Sequence, residues 1–230
     1  MAAGLSGRLI GLALAALPLG ACTDADPGPR FFPLAEGHRW QYRIELRRGE
    51  HHDEQRLLVR NLGPARLEGG RQALAQWVNG SIHYYLLHED GLHQQAGTRR
   101  AGLYLPLPAA PGTTWKARER TRLLTIRKKA LEAPDSAFRL PLVVHYRIVS
   151  TDARAATPAG EFSGCLEVEG NGEREIEGPH PDHPIRVRLH GLRWFCPGVG
   201  LVRAEREEGS DSGFLNDGSE TVTLIGHQPP

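Results

Sequence analysis

Eleven histidines and three cysteines are the side chains with the most chemical potential in this 230-residue chain. Two runs stand out, His51-His52-Asp53-Glu54 in a hairpin turn and His180-Pro181-Asp182-His183 in a loop, while His83, His88 and His93 scatter over another hairpin. A metal would need three or four of these groups to converge. Neighbours in a strand point to opposite faces, so His51 and His52 diverge unless a turn redirects them. No HExxH pattern or Cys-rich spacing is present, so solvated histidines are expected and no metal site. Nucleophile patterns are equally absent. Ser163 lies in GEFSGC, which is not a G-x-S-x-G elbow, and Ser212 in Asp211-Ser212-Gly213 has no matching His context. Gly170-Asn171-Gly172 and Gly198-Val199-Gly200 lack the helix and lysine of a phosphate cradle. Carboxylates are plentiful, but a glycosidic pair is defined by a distance that spacing does not supply. The chain reads as a non-enzyme with no catalytic residue and no cofactor.

The cysteines divide into two groups. Residues 1–22 read MAAGLSGRLIGLALAALPLGAC, with Arg8 ahead of an apolar run over residues 9–19. That run is too short for a bilayer span of about 20 residues and has the form of a secretory leader. Its end, Leu19-Gly20-Ala21-Cys22, resembles the lipobox of bacterial lipoproteins. The resemblance implies that Cys22 is diacylated on sulfur, that residues 1–21 are removed, and that the new amine is acylated as well. Two or three chains hold a membrane far better than one, since each buried methylene adds about 0.8 kcal/mol. Thr23 stands where, by analogy with the enterobacterial sorting rule, Asp retains a lipoprotein in the inner membrane. The analogy implies an outer-membrane location facing the periplasm. Residues 22–30 then form a lipidated Cys and a polar tether, whose residues 23–30 reach at most roughly 26 Å at ~3.3 Å per residue.

The two remaining cysteines, Cys165 and Cys196, are even in number and would sit in an oxidising compartment. A single disulfide between them is expected, the alternative being two buried thiols.

From residue 31 onward period two dominates. Trp40, Tyr42, Ile44 and Leu46 alternate with Gln41, Arg43, Glu45 and Arg47, the pattern of an antiparallel strand with one wet face. Strands are predicted over residues 55–62, 71–78, 82–88 (Ile82, Tyr84 and Leu86 on one face) and 92–95. They are separated by Gly49-Glu50, Gly69-Gly70, Asn79-Gly80 and Asp90-Gly91, of which Asn79-Gly80 is the strongest hairpin signal. Residues 103–111 read as proline-rich loop. Residues 113–117 and 121–127 read as strands because of their threonines, with an amphipathic helix over 115–133 as the alternative. Further strands are predicted at 142–149, 161–169, 185–196 (with a bulge at Gly191), 200–207 and 221–225. Ten to twelve strands, no fixed repeat and no internal linker make residues 31–230 one all-β domain. A sheet of that size must curl or close, so a strongly curved antiparallel sheet or incomplete β-barrel is expected, with a β-sandwich as the alternative.

Four segments are more specific than the strand pattern: FPLAEGHRWQY (32–42), PGTTW (111–115), PAGEFSGCLEV (158–168) and WFCPGVGLV (194–202). In order and content they resemble a family of uncharacterised bacterial envelope lipoproteins. That family carries an F/Y-x-P-L-x-x-G-x-x-W-x-Y opening, a P-A-G-x-F…C-L-x-V strand and a closing Y-A-P-G-V-G-L-V strand. Here Phe195-Cys196 replaces the usual aromatic-Ala. The resemblance implies location and fold and no reaction. The motifs also have a packing role, glycines turning the chain and aromatics filling the core.

Composition narrows the partners. There are 28 basic and 27 acidic residues, and loss of Arg8 with the leader makes the two equal. A neutral surface argues against nucleic acid and leaves membrane attachment to the acyl chains. The leading expectation is a membrane-tethered, non-catalytic binding module that offers a concave apolar face to a lipid, a hydrophobic ligand or an envelope partner. A structural or assembly accessory of the envelope with a filled core is the second. A metal-binding protein or hydrolase is the third.

Overall fold

A computed structural model describes residues 29–97, 101–127, 137–178 and 183–230. The leader over 1–21, Cys22, tether residues up to 28, His180 and Asp182 lie outside the described residues, as do positions 128–133 of the alternative helix.

The described chain is almost entirely strand: β1 (Arg39–Arg48), β2 (His51–Arg66), β3 (Gln72–Val78), β4 (Ser81–His88), β5 (Gly91–Ala96), β6 (Gly102–Pro106), β7 (Thr114–Arg120), β8 (Thr125–Ile126), β9 (Pro141–Thr157), β10 (Gly160–Ile176), β11 (Ile185–Cys196), β12 (Gly200–Ser210), β13 (Leu215–Asn216) and β14 (Gly218–Gln228). Twelve strands form one antiparallel sheet in the order β6-β5-β4-β3-β2-β1-β14-β12-β11-β10-β9-β7, and β8 pairs with β13 separately. The edge strands β6 and β7 come into contact, so the sheet curls almost into a barrel. One curved sheet, and not a sandwich, resolves the choice of architecture. Consecutive strands are joined mainly by tight turns, and β1 pairs with β14 to knit the two ends of the chain together.

Turn chemistry follows the residues. Asn79 and Gly80 both have positive φ, 45° and 95°, and close the β3–β4 hairpin. Residues 103–111 do not form a continuous loop, because Gly102–Pro106 makes β6. Proline is tolerated there because β6 lies at the sheet edge and Pro106 is its last residue. The two-residue β13 lies in a stretch with no strand pattern of its own. On β4 the deeply buried residues are Tyr85 and Leu86, while Ile82 and Tyr84 are only partly buried. The register puts Tyr85 among the ring cluster inside the barrel, which the alternation of the strand alone did not reveal.

Gly191 is not a bulge. It stands in unbroken register opposite Gly170, and the irregularity between β11 and β12 falls at Trp194/Phe195. The need for small residues here comes from Tyr146, whose ring lies on Gly170: a Cβ built there would be 2.4 Å from Tyr146 Cε1.

The barrel interior is packed by the chain's own lead-in segment. Phe31, Phe32 and Leu34 join Tyr85, Leu92, Leu105, Trp115, Val144, Ile148, Leu166 and Phe195 in one buried cluster. Phe32 meets the rings of Tyr85 at 4.8 Å and Tyr104 at 5.4 Å. The expected open concave apolar face is therefore covered, among the described residues, by segment 31–34. A second cluster contains Trp40, Tyr42, Cys165, Cys196, Val202 and Leu224. A third, Leu124, Leu140, Val187 and Leu215, packs where β8 and β13 cross the far end.

Candidate functional site

Cys165 and Cys196 meet across β10 and β11, with sulfurs 2.01 Å apart and both residues buried. They lie against Trp40 and Tyr42 of the lead-in motif. Trp40 Nε1 donates to the Val199 carbonyl at 2.7 Å, and the Tyr42 hydroxyl to the Leu201 carbonyl at 2.8 Å. Three of the four sequence motifs thus converge on one packing unit. His38, Trp40 and His227 stack beside it, and His38 Nδ1 lies 3.1 Å from His227 Nε2. Burial lowers the His227 imidazole below its ordinary value, and His38 adds to this.

A buried polar chain runs from the lead-in segment across four strands. Asn61 Nδ2 donates to the carbonyls of Pro33 (3.1 Å) and Ala35 (3.0 Å). Its Oδ1 accepts from Gln76 Nε2 at 3.0 Å, the Tyr85 hydroxyl donates to Gln76 Oε1 at 3.2 Å, and Gln94 Nε2 donates to that hydroxyl at 2.8 Å. The rigid side-chain ladder holds segment 31–34 inside the barrel.

The interior also carries an ion network that motif reading missed. One cross-strand row runs Trp115, Tyr146, Gly170, Gly191, Arg206, Glu220. Glu119 accepts from Arg206, from the Tyr146 hydroxyl and from Arg193 Nη2, the last at 3.2 Å. Arg193 also lies over the Tyr146 ring, 4.9 Å from its centroid. Arg206 Nε donates to Glu208 Oε1 at 2.7 Å. Glu208 is fully buried and accepts the backbone N–H groups of Arg122, Leu123 and Leu124. One carboxylate therefore anchors the segment leading into β8. Desolvation works to raise the Glu119 carboxyl, but Arg193, Arg206 and the Tyr146 hydroxyl outweigh it and hold it at about 2. Burial pushes Tyr146 up from its usual value. Against desolvation, Tyr146, Tyr104 and Glu119 push Arg193 up. Those three groups keep one charge state across neutral pH, the property of a structural clamp. A cavity of about 40 Å³ beside Tyr146, Gly170, Gly191 and Arg206 has room for a water molecule. A signal for this network exists in the strand phase. Glu119 shares the inward phase of Trp115, Arg193 that of Val187 and Leu189, and Arg206 and Glu208 that of Val202.

The large open cleft has about 620 Å³ and lies at the end far from the lead-in segment. It is lined by the β1–β2 turn (Arg47, Gly49, Glu50, His51), by Arg127, and by the β12–β14 connection (Ser210, Ser212, Asn216, Asp217). Arg127 Nε donates to Asn216 Oδ1 at 2.9 Å, the Ser210 N–H to Asp217 Oδ1 at 3.1 Å, and the Gly49 N–H to the Asp217 carbonyl at 2.9 Å. The walls are fixed, and both signs of charge line the opening.

The remaining candidates stay apart. Ser163 is exposed beside an irregularity in the β9–β10 register, and Ser212 lines the cleft with its Oγ accepting the Phe214 N–H. His93 pairs with Asp90 at 2.9 Å, and its ring meets His88 edge-on. Among the described residues no three His, Cys, Asp or Glu side chains converge as a metal site would require.

No family model matches the chain, and no curated protein matches it. Among solved structures, the chain is similar to a protein of Parabacteroides distasonis described as a "putative lipoprotein". The identity is 13%, 87% of this chain and 99% of that one are covered, and the TM-score is 0.38.

Proposed function

We propose that this protein is a lipid-anchored lipoprotein of the bacterial envelope, held through Cys22 in the outer membrane on its periplasmic side. We infer that its β-barrel is a non-catalytic module that recognises another envelope component through its outer surface. The observation that carries this reading is the filled interior: Phe31, Phe32 and Leu34 occupy the space a lipid or hydrophobic ligand would need. Recognition is then left to the outside of the barrel, where the polar cleft between Arg47, Arg127, Ser210 and Asp217 offers about 620 Å³ of concave surface.

Two measurements test the reading. Labelled palmitate should enter the wild-type protein and not the Cys22→Ser variant; retained label in the variant overturns the anchor. Native mass spectrometry of the purified protein should show no stoichiometric lipid or hydrophobe beyond the acyl chains. A bound hydrophobe would return the interior to the role of ligand site.

A further inference from the structure

Among the described residues, the half of β2 nearest the cleft is a sheet edge that no other strand joins. Residues 51–60 of β2 pair with β1 on one side, but β3 joins the other side only from Val59. The β1–β2 turn has two residues, with Arg48 facing His51, so that pair exchanges both of its backbone hydrogen bonds. Counting outward by twos, Asp53 and Gln55 bond back to β1, whereas His52, Glu54 and Arg56 turn their N–H and C=O groups away from it. The next residue in this phase, Leu58, confirms the direction, because its carbonyl accepts the Asn79 N–H at 3.0 Å. His52, Glu54 and Arg56 are all exposed.

Side-chain charge along this edge is unbalanced within one molecule. Arg56 stands directly opposite Arg43, and Glu54 directly opposite Glu45, both in the closely spaced kind of pair. Like charges in this position destabilise a hairpin. Among the described residues these four charges are compensated by the ion pair Arg43–Glu45 along β1, at 3.1 Å.

We propose that this edge binds a second copy of the same chain, antiparallel, about a twofold axis passing through Gln55. Of the outward-facing residues, Leu58 is already bonded to Asn79, so the register must bring together members of the set 52, 54 and 56. With Gln55 facing its counterpart, Glu54 of each copy bonds to Arg56 of the other. The contact forms four backbone hydrogen bonds and two symmetric Glu54–Arg56 ion pairs. Across four strands the charges then read Arg43, Arg56, Glu54, Glu45, so each like-charged pair meets its opposite. The neighbouring register, with Glu54 facing Glu54, places like charges at the centre and is disfavoured. The pairing closes an exposed edge of the kind that proteins otherwise block, and it is isologous, as a closed dimer requires. On one membrane the axis lies along the membrane normal, and both barrels lie with strands along the bilayer.

Cysteine cross-linking in cells with the full-length lipoprotein tests this. In the proposed register the two Gln55 Cα atoms are about 4.5 Å apart, within disulfide reach. Gln55→Cys should give a covalent homodimer on mild oxidation, at least five-fold above Glu161→Cys, which places a thiol at the exposed start of β10. Adding Arg56→Glu should cut the dimer at least five-fold, and adding Glu54→Arg to that variant should restore more than half of it. Protease resistance of each variant shows that it is folded. Equal yields for Gln55→Cys and Glu161→Cys, no effect of Arg56→Glu in a folded protein, or cross-linking of Gln55→Cys to a different protein would each overturn the proposal.

Discussion

The Asn61 side-chain amide holds the backbone of Pro33, 28 residues earlier in the chain, by a 3.1 Å hydrogen bond to its carbonyl, and that of Ala35 at 3.0 Å. This relationship fixes what occupies the barrel. It ties the lead-in segment to β2, so that the FPLAEG motif works as an internal plug.

Asn61→Ala removes two bonds to the plug and strands Gln76 Nε2. With buried partners left unsatisfied, the loss of stability should be about 2–4 kcal/mol. Urea denaturation should show it as a lower midpoint with the slope unchanged. A hydrophobic dye should bind the variant more than the wild type, because the plug is released.

Glu119 carries the pH dependence of the interior. Its folded value of about 2 lies below the 4.5 of a free carboxyl, so its contribution is present above pH 4.5 and is lost as pH falls towards 2. The full difference corresponds to about 3 kcal/mol. Glu119→Gln should lower stability at pH 7 by an amount of that order and flatten the stability curve between pH 4.5 and 2. Thermal melts of both proteins over that range check the sign.

Gly170→Ala should destabilise despite the better β propensity of alanine. The new methyl would lie 2.4 Å from the Tyr146 ring, and Tyr146 cannot move without leaving Glu119 and Arg193. Overpacking of this kind costs about 1–3 kcal/mol. Tyr146→Ala in the same chain should relieve part of that cost, which a double-mutant cycle would measure.

Replacing Cys165 and Cys196 together by alanine opens a loop with a sequence separation of 31. In the chain-entropy model the loss is roughly 3–4 kcal/mol. Thiol counting on denatured, unreduced wild-type protein should find neither cysteine reactive. The double variant should melt lower, and reductant should lower the wild type but not the variant.

Much of the fold was readable from particular residues. The alternation of Trp40, Tyr42 and Leu46, the turns at Gly49-Glu50 and Asn79-Gly80, and the strand over 185–196 all correspond to observed elements. These features are local: period two marks which side chains face inward, and positive φ selects Gly and Asn. β6 is masked in the sequence because it ends on Pro106 with Pro108 and Pro111 close behind, and β13 because two residues carry no periodicity.

The sequence by itself determined the all-β class and the tight-turn connections, since these depend on neighbours in the chain, and the candidate pair Cys165 and Cys196, since two cysteines leave one pairing. Tertiary structure alone decided what fills the barrel and where its charges go. Phe32 packs on Tyr85 and Tyr104, and Glu119 is compensated by Arg193 and Arg206, only because a twelve-strand register brings distant strands to one level. Strand phase says that an arginine points inward; only the closure of the sheet says which carboxylate it will meet. The edge at His52, Glu54 and Arg56, which no described strand joins, has the same origin, because an edge exists only where no other strand arrives.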